Sequence, residues 1–392
     1  MIVDLHAHYP MHVVPEARGS LWQLLRTPLG RARLRDRVRA LLVGFASRFI
    51  NYRSPWSGPR VTVESLQEGE VRVPLSVITS FFDELELGEP YPAKPKSSYL
   101  APLLRSIDHV EENIREQHGQ AAVVAHSPRE LERGLDEGKV ALVHCVEGGY
   151  HLGGTAAEVD RAVTELARRG VAYITVAHLV WRHVATNAPA IPFLPDWLYR
   201  RVFPQPEVGL SELGEAAVEA MVRERVLIDL THMGDRALAD TFALLERLDG
   251  QHRVPVLASH GCFRFRSQEY GLSEESVRRV AERDGVVGLI MAQHQLNRGV
   301  RTTRSRRWRR SFEVICAHID RIGEITGSHR HTAIGSDFDG FIKPTMAGLE
   351  SAGDMKRLEG ALRERYGDVD GERICSANAL RVLKTGWAGA VS

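Results

Sequence analysis

Eight short apolar runs recur along the chain, and their number limits what it can fold into. Each run is rich in Val, Ile and Leu, and such continuous runs are typical of strands that are buried on both faces of a parallel sheet. The runs lie at 1–8, 73–82, 139–147, 171–178, 225–232, 254–260, 285–293 and 331–339.

Helical patterns lie between several of these runs, at 155–170, 211–225 and 273–285. Eight parallel strands with crossover helices close most simply into a (β/α)8 barrel of the TIM type. A doubly wound open sheet is the alternative. A length of 392 residues fits a single barrel with insertions, so we predict one domain over 1–392.

The first connection, at about 9–72, is far longer than an ordinary loop and must have structure of its own. Apolar residues at helical spacing predict an inserted amphipathic helix there. Further insertions are expected at 89–102, 183–210 and 294–312. The residues with helical spacing are Leu34, Val38, Leu41, Leu42, Phe45 and Phe49.

The overall charge gives no reason to expect a nucleic-acid or membrane partner. The formal net charge is +1, with 43% hydrophobic and 26% charged residues, as in ordinary soluble proteins. No run approaches the length of a membrane span, and the first residues do not resemble a secretory signal. Four widely spaced cysteines indicate reduced thiols and a cytoplasmic protein: Cys145, Cys262, Cys316 and Cys375.

Most of the apolar runs end in a histidine or an acidic residue. The first run contains His6 and His8, whose side chains point to the same side of a strand because side chains alternate. By the same alternation we expect the other terminal groups to share a face with inward apolar residues, as His178 does with Ile174 and His232 with Ile228. These other groups are Glu147, His178, His232, His260 and Asp337.

At the carboxyl end of a barrel these groups would meet at one rim, where barrel enzymes have their active sites. Imidazoles with a carboxylate suit Zn²⁺ or a similar ion better than Ca²⁺. Two ions bridged by one carboxylate are expected. His6, His8 and Glu147 would bind the first ion, and Glu147, His232 and His260 the second, with Asp337 as the base for a bridging water.

Several segments, in order over most of the chain, make it similar to the membrane dipeptidase (peptidase M19) family of the amidohydrolase superfamily. They are VEGGYHL at 146–152, YITVAH at 173–178, LIDLTHM at 227–233, PVLASHG at 255–261, AIGSDFDGF at 333–341 and SANALRVL at 376–383.

This family is a binuclear zinc (β/α)8 barrel that hydrolyses dipeptides, so the resemblance implies that fold, two zinc ions and a dipeptide substrate. Relatives are often dimers, which makes a homodimer one option. The implied roles are metal ligands at His6, Glu147, His232 and His260, a contact to the substrate carbonyl at His178, and a general base at Asp337.

The chain departs from the family's pattern at two places. The first motif of the family is usually His-x-Asp, whereas residue 8 is a histidine, as in the wider superfamily. The family also has an arginine about eleven residues after the last metal histidine, which binds the substrate carboxylate. Tyr270 or Gly271 stands there instead, so Arg264, Arg266 and Tyr270 are candidate substrate contacts, with a solvated loop as the alternative for both arginines.

An arginine-rich segment at 297–310, NRGVRTTRSRRWRR, follows the seventh run and should lie at the catalytic rim. A solvated loop is one interpretation, and a lid that meets a substrate carboxylate is another. Arginines with an aromatic residue can also bind anions or nucleic acid.

The sequence therefore predicts a metal-dependent hydrolase that cleaves a small amide, either a dipeptide or an N-acyl amino acid, with metal-activated water. The alternatives are an amidohydrolase acting on a lactone, a cyclic amide or a phosphoester, and a non-catalytic protein that binds an anion through the arginine-rich 298–310 loop.

Overall fold

The computed structural model describes residues 1–14, 58–86, 89–192, 194–301, 303–340, 342 and 344–390. Nine strands occur in this part of the chain, and all of them pair in parallel. They are β1 (Ile2–Ala7), β2 (Val71–Ile78), β3 (Ala122–Ala125), β4 (Val140–Glu147), β5 (Tyr173–Thr175), β6 (Leu227–Asp229), β7 (Val256–Gly261), β8 (Val286–Leu289) and β9 (Thr332–Ile334).

Eight of these strands close a barrel in the order β2-β1-β9-β8-β7-β6-β5-β4, and β4 pairs back with β2. Each run predicted from the sequence overlaps one barrel strand, so the (β/α)8 prediction is confirmed and the open sheet is wrong. The ninth strand, β3, lies outside the ring and pairs with the first half of β4. The sequence analysis missed it because four residues, AVVA, are too few to show a pattern.

Helices surround the barrel and connect its strands. The helix over Met355–Glu372 is interrupted at Gly367, where φ is 76°. The helices of the described residues are α1 (Pro10–Val13), α2 (Val63–Glu68), α3 (Phe81–Leu85), α4 (Leu100–Gln117), α5 (Pro128–Asp136), α6 (Ala156–Arg168), α7 (Asp196–Val202), α8 (Glu212–Glu224), α9 (Asp235–Leu248), α10 (Glu274–Glu282), α11 (Gln293–Leu296), α12 (Trp308–Thr326), α13 (Met355–Glu372) and α14 (Asn378–Gly386).

The three helices predicted from the sequence are present as α6, α8 and α10, and each begins at a side-chain cap. In α6 the Thr155 hydroxyl accepts a hydrogen bond from the backbone of Glu158, whose carboxylate bonds back to Thr155, a capping box. The apolar face of α6 then packs on the barrel. Its buried residues are Val159, Ala162, Val163 and Leu166.

On three strands, β5, β6 and β7, the residues predicted to point into the barrel point outward instead. Ile174, Ile228 and Val256 lie in the apolar cluster that includes the surrounding helices. Tyr173 instead crosses the barrel interior, since its hydroxyl donates to the carbonyl of Leu5 on a non-adjacent strand at 2.8 Å. Strand alternation fails because β5 and β6 end before their histidines, and because β7 has a register shift between Ala258 and Gly261.

The predicted insertion at about 9–72 is described only at its two ends, where α1 and α2 lie. The helix predicted from Leu34 to Phe49 falls outside the described residues. The proline-rich insertion at 89–102 is fastened by Arg182, whose Nε donates to the carbonyl of Ala93 at 2.8 Å.

None of the helices in the described ranges is both long and apolar enough to cross a membrane. All four cysteines have free thiols, and all four side chains are buried.

Candidate metal centre

Seven polar side chains meet at the carboxyl end of the barrel, and all are buried. Two come from β1 or the residue beyond it, one is the last residue of β4, and one lies within β7. The other three each lie three residues beyond the end of a strand, β5, β6 or β9. These seven residues, here called the mouth cluster, are His6, His8, Glu147, His178, His232, His260 and Asp337.

Glu147 is at the centre of the mouth cluster. Its two carboxylate oxygens face different sets of imidazoles, so the structure brings together the side chains that the sequence analysis predicted. Oε1 lies 3.3 Å from Nε2 of His6, 3.5 Å from that of His260 and 3.6 Å from that of His232, whereas Oε2 lies 3.4 Å from Nε2 of His178 and 3.7 Å from that of His8.

Asp337 is the second carboxylate of the cluster and lies beside His6 and His8. Its Oδ1 is 3.0 Å from Nε2 of His8 and 3.9 Å from Nε2 of His6. The imidazole nitrogens of His232 and His260 are themselves only 2.9 Å apart. Three sets of ligand atoms lie within 4.8 Å of one another: His6, Glu147 and His260; His6, His8 and Asp337; and Glu147, His178 and His232.

Hydrogen bonds behind the cluster set which ring nitrogen of His260 and of His6 faces it. Ser259 donates to Asp229 at 2.6 Å, so its hydroxyl accepts from Nδ1 of His260 at 2.8 Å. Tyr173 donates to a backbone carbonyl, so it accepts from Nδ1 of His6 at 2.8 Å. With their protons on Nδ1, both rings present the Nε2 lone pair to the centre, as metal-binding histidines do.

The charges of the cluster also suit cations. Burial raises the pKa of Glu147, but the neighbouring imidazoles of His178 and His6 outweigh it and hold that pKa well below its usual value. Burial, with the neighbouring His6 and His232, holds the pKa of His260 well below its usual value. The result is an ionised carboxylate beside a neutral imidazole, which are the forms that bind metals.

Three buried ring nitrogens of the mouth cluster have no hydrogen-bond partner in the described part of the chain: Nε2 of His6, Nδ1 of His8 and Nδ1 of His232. Nε2 of His6 accepts no hydrogen bond, although the side chain is fully buried. A buried polar atom without a partner is destabilising, and a cation would satisfy it. The residues of the mouth cluster therefore fit divalent metal ions.

Three turns with left-handed backbone conformation shape the mouth. His232 and Asp337 have φ values of 67° and 58°, which are rare for residues other than glycine and are typical of functional sites. After Glu147 the chain turns at Gly148, where φ is 102° and a Cβ atom would lie 2.2 Å from the ring of Tyr150. Glycine is therefore required there.

Glu84, which the sequence analysis missed, orients His178. One carboxylate oxygen lies 2.6 Å from Nδ1 of His178, and the other accepts from the backbone of Leu179 and Val180 at 2.7 and 2.9 Å. Burial lowers the pKa of His178, but the charges of Glu147 and Glu84 outweigh it and raise the pKa to about 9. Its proton on Nε2 therefore faces the mouth.

A pocket opens above the mouth cluster and encloses about 440 Å³, part of it open to solvent. Tyr270 lines it and donates to the carbonyl of His260 at 2.6 Å. His294 and Gln295, just before the arginine-rich segment, also line it, although the sequence analysis had not singled them out. Burial lowers the pKa of His294 to about 4, so this ring is neutral.

The two arginines predicted to contact substrate lie elsewhere. Arg264 forms a two-pronged ion pair with Asp235, with nitrogen–oxygen distances of 2.5 and 2.8 Å. Arg266 is exposed, and neither arginine is among the pocket-lining residues. Their proposed contact to substrate stays a prediction.

The arginine-rich segment follows β8 and lies at the rim, as predicted. Arg298 contacts Asp196 at 3.3 Å, and Arg310 contacts Glu313 at 2.8 Å. Gln293 fastens the segment by bonding the backbone N–H and carbonyl of Ser305, both at 2.9 Å. Binding of an anion or a nucleic acid by this segment stays a prediction. A role as a lid stays a prediction.

Comparisons with known proteins agree with this architecture. The crystal structure of the dipeptidase AC, a metallopeptidase of family M19, superposes with a TM-score of 0.70 at 20% identity over 99% of both chains. A metallopeptidase from Rhodobacter sphaeroides, solved with a phosphinate mimic of the dipeptide L-Ala-D-Ala, gives the same TM-score and identity over 98% of this chain and 99% of that one.

Two fungal proteins are similar in sequence. The dipeptidase aclJ of Aspergillus oryzae is 27% identical over 63% of this chain, and the dipeptidase tcpJ of Claviceps purpurea is 25% identical over 70%. The chain spans about half the length of these relatives, 51% and 57%. The sequence model of the membrane dipeptidase family matches residues 68–388, so this chain belongs to the membrane dipeptidase family, peptidase family M19.

Proposed function

We propose that this chain is a binuclear-metal hydrolase that cleaves a dipeptide or a similar small amide with water. The single observation that supports it best is the position of Glu147, whose two oxygens lie within 3.7 Å of five imidazole nitrogens, with Asp337 beside two of those rings. A carboxylate with this environment can bridge two cations. The ligands of these cations, two zinc ions by our proposal, would be His6, His8, Glu147, His232 and His260.

Two zinc ions bound there would supply a nucleophile from water at neutral pH and polarise the scissile carbonyl. Asp337 accepts the proton of the attacking water and passes it to the leaving amine. The water's OH joins the carbonyl carbon while the C–N bond breaks, so the products are a carboxylic acid and a free amine. His178 donates from Nε2 to the carbonyl oxygen as negative charge develops on it.

Three observations support this assignment of roles. His178 has its other nitrogen fixed by Glu84, so Nε2 is available to a substrate. Asp337 lies next to His8 rather than in an ion pair with an arginine or lysine of the described residues. The solved Rhodobacter sphaeroides relative, of the same fold, was crystallised with a mimic of a dipeptide.

Metal removal tests the proposal. Exhaustive chelation should abolish hydrolysis of a panel of dipeptides, and two equivalents of Zn²⁺ should restore it. Production of free amino acids is measured by an amine-reactive dye, and bound metal by elemental analysis. Turnover that survives complete metal removal would exclude this mechanism.

A second candidate is hydrolysis of another small substrate on the same metals. The observation that favours it is that no arginine or lysine of the described residues lines the pocket, so no fixed cation is seen there for a substrate carboxylate. A panel separates the two candidates. Dipeptides should exceed their C-terminal amides if a carboxylate is recognised, whereas lactones, cyclic amides or phosphoesters should be preferred if it is not.

A further inference from the structure

A second group of metal-binding side chains lies on the outer side of the barrel wall. Glu111 of α4, His126 just after β3 and His144 of β4 place one ligand atom each within 4.8 Å of the others. His144 lies three residues before Glu147 on the same strand, so the two sites are about 10 Å apart along β4 at the usual rise per residue. We call these three residues the outer cluster.

The imidazole of His144 lacks hydrogen-bond partners among the described residues. The side chain is fully buried, and neither ring nitrogen has a hydrogen-bond partner in the described part of the chain. Nε2 points toward the outer cluster, 3.6 Å from Oε1 of Glu111, which is too long for a hydrogen bond. A buried imidazole in this position is destabilising unless something else binds the nitrogen.

His126 is held in the orientation of a metal ligand. Its Nδ1 lies 3.0 Å from Oε2 of Glu130, and its Nε2 lies 3.2 Å from Oε1 of Glu111. A carboxylate that accepts the proton of the outer nitrogen fixes the ring and raises the basicity of the inner nitrogen. The same Glu130 oxygen also accepts the backbone N–H of His126, so this support does not depend on one contact.

The neighbouring charges leave Glu111 ionised. Burial raises the pKa of Glu111, but the hydrogen bond from His126 and the nearby ring of His144 outweigh it and lower the pKa far below its usual value. Arg169 lies 3.7 Å from Glu111, but its guanidinium is hydrogen-bonded to Asp108 instead. Glu111 and His126 are partly exposed, so an ion and a coordinated water can enter from solvent.

We propose that Glu111, His126 and His144 bind one divalent transition-metal ion, with Zn²⁺ as the best match, at a site separate from the mouth cluster. Two imidazoles and one carboxylate, with a water in the fourth position, are a normal ligand set for zinc. The ion would link α4 to the barrel wall, with ligands from β4 and from the residue after β3. The proposal is independent of the function proposed above.

Metal counting and anomalous scattering test the site. Protein dialysed against metal-free buffer should contain one zinc ion per chain more than the Glu111→Gln variant, by elemental analysis. Glu112→Gln, which removes the same charge from the neighbouring exposed position of α4, should match the wild type. Since Glu111 does not belong to the mouth cluster, Glu111→Gln should retain wild-type turnover.

Glu130→Gln should keep the three ligands but weaken zinc binding about 10–100-fold, since it removes the carboxylate that orients His126. In wild-type crystals an anomalous peak at the zinc edge should lie between Glu111, His126 and His144. Equal metal counts in wild type and Glu111→Gln would overturn the proposal. So would the lack of that peak, or a peak that requires millimolar zinc while the dialysed counts stay equal.

Discussion

The mouth cluster and the outer cluster have the same chemistry but different supports. Both combine imidazoles with carboxylate oxygens within 4.8 Å. The mouth cluster is buried at the ends of barrel strands, and hydrogen bonds from behind fix the rings of His6, His178 and His260. The outer cluster takes one residue from a helix, one from a turn and one from a strand, and two of the three are partly exposed.

This difference indicates different uses. Catalysis needs donors that hold their geometry while charge moves, and the strands with the Asp229 and Glu84 contacts provide that. Simple ion binding tolerates a looser arrangement, because the ion itself draws its ligands together. We therefore expect substitutions in the mouth cluster to change the rate, and substitutions in the outer cluster to change metal content alone.

The largest expected effect is on Asp337. Asp337→Asn keeps the size of the side chain but removes the base, so turnover should fall by about 10²–10⁴-fold while both metal ions stay bound. Steady-state rates and elemental analysis measure the two quantities separately. Glu111→Gln should show the opposite result, with one zinc ion lost and turnover unchanged. The two clusters would then differ in function.

Asp339→Asn is the matched control for Asp337→Asn. Asp339 is also buried in left-handed backbone two residues further on, but it accepts hydrogen bonds from the backbone of Arg60 and Val61 at 2.9 and 3.0 Å. Its variant should lose stability and retain the rate per folded molecule. Full activity in Asp337→Asn would show that another group is the base.

The sequence predicted the strands of the barrel and the residues at their ends for a physical reason. Strands buried on both faces need long apolar runs, and a charged residue at the end of such a run is conspicuous, as Glu147 is after Val143 and Val146. The four-residue β3 has no such signal. The predicted inward face also failed, because it assumed regular alternation up to His178 and His232, which lie beyond their strands.

The supporting residues were missed because their roles depend on contacts between distant segments. Glu84 is 94 residues from His178, and nothing in its own segment, FFDELE, indicates a partner. Asp229 did have a local signal, since a charged residue inside the apolar run VLIDL must find buried donors. The outer cluster combines a helix, a turn and a strand, so no spacing motif exists to predict it.

The next largest effect should come from Asp229, which supports the mouth cluster from behind. In Asp229→Asn the amide can donate to Ser259, so the Ser259 hydroxyl would turn and donate to Nδ1 of His260. The proton of His260 would then move to Nε2, facing the metals. Zinc affinity at the mouth should fall about 10–100-fold, measured by competition with a chromophoric chelator.

Asp249→Asn separates this effect from general destabilisation. Asp249 is equally well buried and accepts from the backbone of Val254 at 2.8 Å and from Arg283 at 3.1 Å, away from the mouth. Both variants should lower the melting temperature, but only Asp229→Asn should weaken zinc binding. Equal zinc affinities in the two variants would contradict the proposed support.

The smallest effect should come from Glu84, which positions His178. In Glu84→Gln the amide oxygen can still accept from Leu179 and Val180, but the negative charge beside His178 is lost. Replacing a charge-assisted hydrogen bond by a neutral one removes about 1.4 kcal/mol, which corresponds to about tenfold in kcat with little change in KM.

The pH profile distinguishes this role from a structural one. The charge of Glu84 helps to raise the pKa of His178 to about 9, so protonated His178 is present below that pH and is lost as the pH rises through it. In Glu84→Gln the pKa falls, and the alkaline limb of the rate profile should move to lower pH. Glu86→Gln, whose carboxylate instead contacts Lys96 at 3.0 Å, should leave that limb in place. An unmoved limb in both variants would show that Glu84 only holds the chain of residues 179–180, and that the proton on His178 is set by the mouth cluster alone.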